Sequence, residues 1–140
     1  MRKRRGSRQR GSTIVESALV LLTVIVVLLG ILDFSQFLFR QQSITERVRG
    51  VTRTASIKGL SADQIQNRIC FGTDTAPTDQ TGGYMGLAPA NVNAAIQDAT
   101  TTSKRVVVTV SGLRLKTVSP YLPSTLLMLP IRVTSPLETP

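Results

Sequence analysis

Apolar residues are distributed very unevenly along this chain. From Ala18 to Leu32 nearly every position is apolar, interrupted only by Thr23 and Gly30. Taken as a helix, Ile14 to Leu32 spans about 28 Å, close to the roughly 30 Å hydrocarbon core of a bilayer. Thr23 is tolerable there because its hydroxyl can return to a carbonyl one turn earlier. Beyond this block the apolar positions change from a run to a stripe. Gly30, Phe34, Phe37, Gln41, Ile44, Val48, Val51 and Ala55 recur at spacings of four and three, while Arg40, Glu46, Arg47, Arg49 and Arg53 lie mostly off that line. The spacing predicts one helix from about Ser12 to Ile57, roughly 70 Å long, membrane-spanning over about 14–32 and amphipathic afterwards. Its stripe packs on the protein's own sheet, and Lys58-Gly59 is its stop signal.

The rest of the chain follows shorter periods. Ser61-Ala62-Asp63-Gln64 has the form of a capping box opening one or two helical turns. Arg68 to Gly72 reads as a short strand. Residues 73–89 are rich in Gly, Thr, Pro and Asp and read as a long loop. Val92 to Gln97 alternates as a strand does, and Asp98 to Ser103 forms a polar turn. Arg105 to Ser111 is the strongest strand, with Val106, Val108 and Val110 on one face. Leu113 and Leu115 continue it in the opposite phase, repaired by a bulge at Ser111-Gly112. Leu127, Leu129, Ile131 and Val133 alternate in a last strand, which Pro130 makes an edge strand. The fold class expected is α+β: one long N-terminal helix on a small, mostly antiparallel sheet. Its parts are a basic leader at 1–11, the helix at 12–59, and an extracytoplasmic α+β domain at 60–140.

Charge fixes the direction of insertion. The net charge is +9, but six of the seventeen Lys and Arg residues fall in the first ten positions. Without residues 1–11, eleven basic and eight acidic side chains remain, a net charge of +3. The body is only mildly basic, so no nucleic-acid partner is expected. Basic residues before the apolar run and few after it place the N-terminus in the cytoplasm. A cleaved secretory signal would need a shorter apolar core and a small-residue site after it, and Asp33-Phe34-Ser35-Gln36-Phe37 supplies none.

The chain has no His and one cysteine, Cys70. Ser-His-Asp and Cys-His arrangements and His metal ligands are therefore excluded, as is an internal disulfide. The carboxylates are scattered and there is no phosphate-binding Gly loop. The expectation is a non-enzyme without metal or cofactor, with Cys70 buried. Glu16 is the exceptional residue. A carboxylate within an apolar helix costs up to roughly 3 kcal/mol and ordinarily has a partner charge; alternatively, it marks the membrane boundary. A cut between Gly11 and Ser12 would make Glu16 the fifth residue of the mature chain and give Ser12 a new α-amino group. With axially offset helices, the amine of one could meet the carboxylate of the next and fix register.

Arg10-Gly11-Ser12-Thr13-Ile14-Val15-Glu16 ahead of an apolar helix resembles the class III signal of type IV pilins and pseudopilins. Gly30-Ile31-Leu32-Asp33-Phe34, then Val48-Arg49 with Arg53 and Ala55, is similar to the TadE/TadG-like family, whose members often read Gly-Ile-x-Glu-Phe and Arg-x-x-x-Arg-x-Ala. A looser likeness continues through Cys70-Phe71-Gly72 and 86–92. Asp33 replaces the commoner Glu, and Val51 stands where Gly is frequent. The resemblance implies a pilin-like fold, with Gly11 and Ser12 as the prepilin-peptidase site, Ser12 open to N-methylation, and Glu16 as the assembly carboxylate. Phe34, Phe37, Ile44, Val48 and Val51 would be helix-packing positions. It implies a minor pseudopilin of a tight-adherence pilus in the bacterial cytoplasmic (inner) membrane. Its partners would be prepilin peptidase, other pilin or pseudopilin subunits, membrane lipid and the inner-membrane assembly platform. The alternatives are a shaft-forming major pilin, a single-pass anchored binding or adhesin domain, and a domain released by signal peptidase.

Overall fold

The computed structural model describes residues 7–78, 82–97 and 104–137, with side chains from residue 11 onward. The expected turn at Asp98 to Ser103 lies outside the described residues. The architecture is α+β. One long helix, α1 (Ser7–Lys58), precedes a short helix, α2 (Ala62–Cys70), and five strands. β1 (Val92–Gln97), β2 (Arg105–Val110) and β5 (Ile131–Pro136) form an antiparallel sheet with β2 in the centre. β3 (Arg114–Lys116) and β4 (Thr125–Leu127) form a separate two-stranded antiparallel ribbon.

α1 starts five residues before the expected position and stops where the sequence indicates. At its end Gly59 adopts φ +64, and its N–H donates to Ala55 O at 2.9 Å. That left-handed turn is one a Cβ would strain. The turn reverses the chain into α2, whose capping box forms as expected. Ser61 Oγ accepts from Gln64 N, and Ser61 N donates to Gln64 Oε1.

α2 corrects one expectation. Arg68 to Gly72 is not a strand: the helix continues to Cys70 and the chain then turns. Ile65 and Ile69, four apart, are fully buried together with Cys70. A three-residue apolar run at 69–71 is too short to separate the two periods, and the upstream cap decides for helix. Among its described residues the 73–89 loop contains one 3-10 turn, Tyr84–Gly86, and it leads into another, Pro89–Asn91.

The core lies between α1, α2 and the three-stranded sheet. Ile44, Val48 and Ala55 of α1 meet Ile65 and Ile69 of α2, and Val106, Val108 and Val110 of β2. Val92 faces Val110 across one ladder, and Ile131 faces Val110 across the other. Two strand expectations change here. Leu113 and Leu115 do not extend β2 through a bulge. The chain turns at Gly112 (φ +74) and leaves the sheet as β3, with both leucines buried. Similarly, 127–133 is not one strand. Leu127 and Leu129 are exposed, Met128 between them is buried, and β5 starts only after Pro130. Pro130 cannot donate to a ladder, so it sits between the strands rather than within one.

Candidate functional site

The candidate site is the outer surface of α1 and the part of the domain that meets it. Thr23 Oγ1 donates to Leu19 O at 2.9 Å, as an apolar environment requires. No residue of the strongest apolar window is buried by the rest of the chain. α1 is therefore long and apolar enough to cross a membrane, and its apolar side chains are left outward.

Gly11 and Ser12 are both exposed, and both lie inside the helix rather than ahead of it. Glu16 is exposed one turn later. Among the described residues two side-chain ion pairs form, Arg49–Glu46 and Arg68–Asp74, and neither involves Glu16.

The helical stripe divides into two parts. Ile44 and Val48 are fully buried, and Phe37 and Val51 are half-buried against the same core. Phe34 differs: it is 62% exposed and does not join that core. It lies outside the core formed with the three-stranded sheet and lines a groove beside β4 instead. The buried face is also broader than the stripe. It includes Thr52 and Ser56, whose hydroxyls donate to Val48 O and Arg53 O one turn back.

Two residues that the pattern does not single out hold the domain on the helix. Asp33 is 3% exposed, and its two oxygens accept the consecutive backbone N–H groups of Val118 and Ser119, each at 2.8 Å. These bonds join residues 85 and 86 positions apart. Bonds to an ionised acceptor are the strong class. They fix the 117–124 loop, which also holds itself through Thr117 Oγ1 to Pro123 O at 2.7 Å. The sequence did contain a signal: Asp33 ends an apolar segment with no basic residue near it, so it needs a partner by the same argument that applies to Glu16.

Arg47 is the second. Its Nε and Nη2 donate to Ile69 O at 2.7 Å and Arg68 O at 3.1 Å, at the C-terminal end of α2, where a cation complements the helix dipole. Its guanidinium also lies over the Tyr84 ring, 4.3 Å from the centroid. Cys70 is buried nearby. Burial pushes its thiol pKa up, partly opposed by the Arg47 charge, which makes it a poor thiolate.

Beside Asp33 lies an apolar groove of ≈ 430 Å³, formed by Gly30, Phe34 and Phe37 of α1 and by Leu122, Leu126 and Leu127. Among the described residues no group of three or more His, Cys, Asp or Glu side chains could hold a metal ion. The exposed apolar helix and the 117–124 loop docked on Asp33 together present a largely apolar surface, on which Glu16 has no ion pair among the described residues.

Residues 11–53 match the family model for TadE-like proteins. The TadE-like segment opens at Gly11 and contains Glu16, Asp33 and the buried Ile44 and Val48. It covers less than a third of the chain and leaves α2 and every strand outside the match. No curated protein and no solved structure matches the chain. The TadE-like family points to association with a Tad pilus.

Proposed function

We propose that the chain is a minor pseudopilin of a tight-adherence or related type IV pilus-like system. It is held in the bacterial cytoplasmic membrane, cut by prepilin peptidase between Gly11 and Ser12, and active in pilus assembly or initiation. The observation that carries the reading is the TadE-like match, which begins at Gly11 and follows an apolar helix whose outer face is unburied. The basic leader lies on the cytoplasmic side and the domain after Gly59 outside.

The roles follow from position. α1 runs through Gly11, so a protease that needs an extended substrate must open the first helical turns. Glycine in a helix costs about 1 kcal/mol relative to Ala, which weakens the helix at that point. Glu16 is an exposed carboxylate on an apolar surface with no ion pair among the described residues, and a cation from a neighbouring chain would match it. The new Ser12 amine of a neighbouring subunit supplies one when two helices are offset by four residues, about 6 Å. A pair of that kind in low dielectric falls off steeply with distance and so selects register. The partners are prepilin peptidase, other pilin or pseudopilin subunits, and the assembly platform. The role is structural, not catalytic.

The test is the intact mass and N-terminal sequence of the protein recovered from host membranes, with Glu16→Ala in parallel. A mature chain starting at Ser12, and a variant that is cut and inserted but makes no pili, are the expected results. A chain starting at Met1 removes the processing claim. Normal piliation by Glu16→Ala removes the assembly role.

A further inference from the structure

The apolar surface of α1 does not end where its sequence acquires a charge. From Ser17 to Phe39 Asp33 is the sole ionisable residue, and its carboxylate is buried against two backbone N–H groups. The uncharged outer surface is thus 23 residues long, about 34 Å, enough for the hydrocarbon core and a little more. The clamp at Asp33 lies six residues inside its far end, about 9 Å along the axis. Interfacial elements typically sit about 5–10 Å into the headgroup and acyl boundary.

What the clamp holds at that level is itself apolar. Residues 117–131 contain no charged side chain. Val118, Tyr121, Leu122, Leu127 and Leu129 are all exposed there, Tyr121 at 65% and Leu127 at 67%. An exposed cluster of this kind is unusual on a water-facing surface and marks a contact site. The neighbouring β3 adds exposed Arg114 and Lys116, and no acidic residue occurs between Asp98 and Glu138. Uncharged apolar tip, one tyrosine and flanking cations are the composition of a membrane-interface anchor.

We propose that the β3–β4 ribbon and the 117–129 segment form a second membrane contact. This foot dips into the outer-leaflet interface beside α1, with Leu122, Leu127 and Leu129 against acyl chains and Arg114 and Lys116 toward anionic headgroups. The occupant of the groove between the foot and Phe34 is then lipid, continuous with the lipid around α1. The proposal rests on the reading of α1 as a membrane span. It goes beyond that reading in giving the domain a fixed height and rotation on the bilayer, so that α2 and the three-stranded sheet face away from it.

The experiment uses the full chain in phosphatidylethanolamine–phosphatidylglycerol vesicles, in a Cys70→Ala background. An environment-sensitive fluorophore is attached in turn to Leu122→Cys, Leu127→Cys and Leu129→Cys, with Ile25→Cys in α1 and Asn93→Cys on β1 as references. Quenching by brominated lipid and by aqueous iodide is measured at each site. The expected result is several-fold stronger lipid quenching at the three foot positions than at 93, with a shallower depth than at 25. Iodide quenching at the foot equal to that at 93, with 25 quenched by lipid, overturns the foot and leaves the span intact. Protection from both quenchers at high lipid dilution also overturns it, in favour of a second copy or another protein. A probe at 25 that lipid does not quench removes the span itself. The unlabelled chain gives an independent check. It has no Trp, so its fluorescence arises from Tyr84 and Tyr121, and Tyr121→Phe should abolish most of the quenching by brominated lipid.

Discussion

Replacing Asp33 tests how the domain is held at its height on α1. Asp33→Ala leaves the N–H groups of Val118 and Ser119 without acceptors in a site where the wild-type side chain is 3% exposed. A hydrogen bond to a charged group contributes about 1.5–3 kcal/mol, so the two together hold the loop by about 3 kcal/mol at the lower end. Removing the carboxylate also removes its desolvation cost, which offsets part of this loss. At 1.4 kcal/mol per tenfold, a net loss near 3 kcal/mol raises local opening about 100-fold. The change should be local, because Ile44 and Val48 are buried by a different set of contacts.

The assay is hydrogen–deuterium exchange by mass spectrometry on the protein in lipid nanodiscs. Peptides covering 117–122 should lose protection about 100-fold in Asp33→Ala, while those covering 44–52 remain unchanged. Asp33→Asn should fall between, since one oxygen still accepts while the amide presents a donor to the other N–H. Unchanged exchange at 117–122 in Asp33→Ala would refute the clamp, and the foot would then be held by its apolar contacts alone.

Three further outcomes follow from the domain. Ile44→Ala deletes a fully buried side chain at the meeting of α1 with the sheet and should destabilise the domain by about 2–5 kcal/mol in a denaturant titration, whereas Phe34→Ala, on the exposed part of the same stripe, should change it by less than about 0.5 kcal/mol. Gly83→Ala would place a Cβ 2.7 Å from Cys70 O and closer still to Leu87 O, so it should cost about 1–3 kcal/mol and lower Tm, while Gly82→Ala, with open space around it, should not. The Arg68 hydrogen bond and charge hold the Asp74 pKa below the ordinary carboxylate value. The ordering this pair gives the 72–75 turn is therefore present above the unfolded carboxylate pKa and lost as pH falls through the lowered one; exchange of that turn should rise on acidification in the wild type and not in Asp74→Asn.

What the sequence reveals and what it conceals are separated by the range of the interactions. α1 is legible because its signals are local and repeated: an apolar run of membrane length, then a stripe at helical spacing, then Lys58-Gly59. The capping box at Ser61 and the alternation of β2 are legible for the same reason. Errors occur where a short run fits two periods. Ile69-Cys70-Phe71 belongs to a helix because Ile65 lies one turn upstream. Leu127 and Leu129 alternate with Met128 yet face outward, because the end of β4 and the segment after it lie outside the three-stranded sheet. Alternation shows which residues share a face but not whether that face meets protein or lipid.

The same limit applies to Asp33, and there it has a functional consequence. Read along the chain, Asp33 looks like the charge that ends the apolar segment at Leu32. In the fold, backbone N–H groups from 85 and 86 residues away cover that charge, and the uncharged surface continues to Phe39. One long-range pair of hydrogen bonds therefore does two things: it docks the 117–124 loop, and it lengthens the uncharged surface of α1 by about two turns. A carboxylate suits both tasks because its two oxygens can accept two neighbouring N–H groups at once. A glutamate, one methylene longer, could do the same only if the loop sat farther from the helix axis. The distance between the foot and α1 should thus follow the length of the side chain at position 33. Asp33→Glu should move the foot outward without releasing it, lengthening the separation of paired spin labels at 37 and 122 while leaving exchange at 117–122 slow.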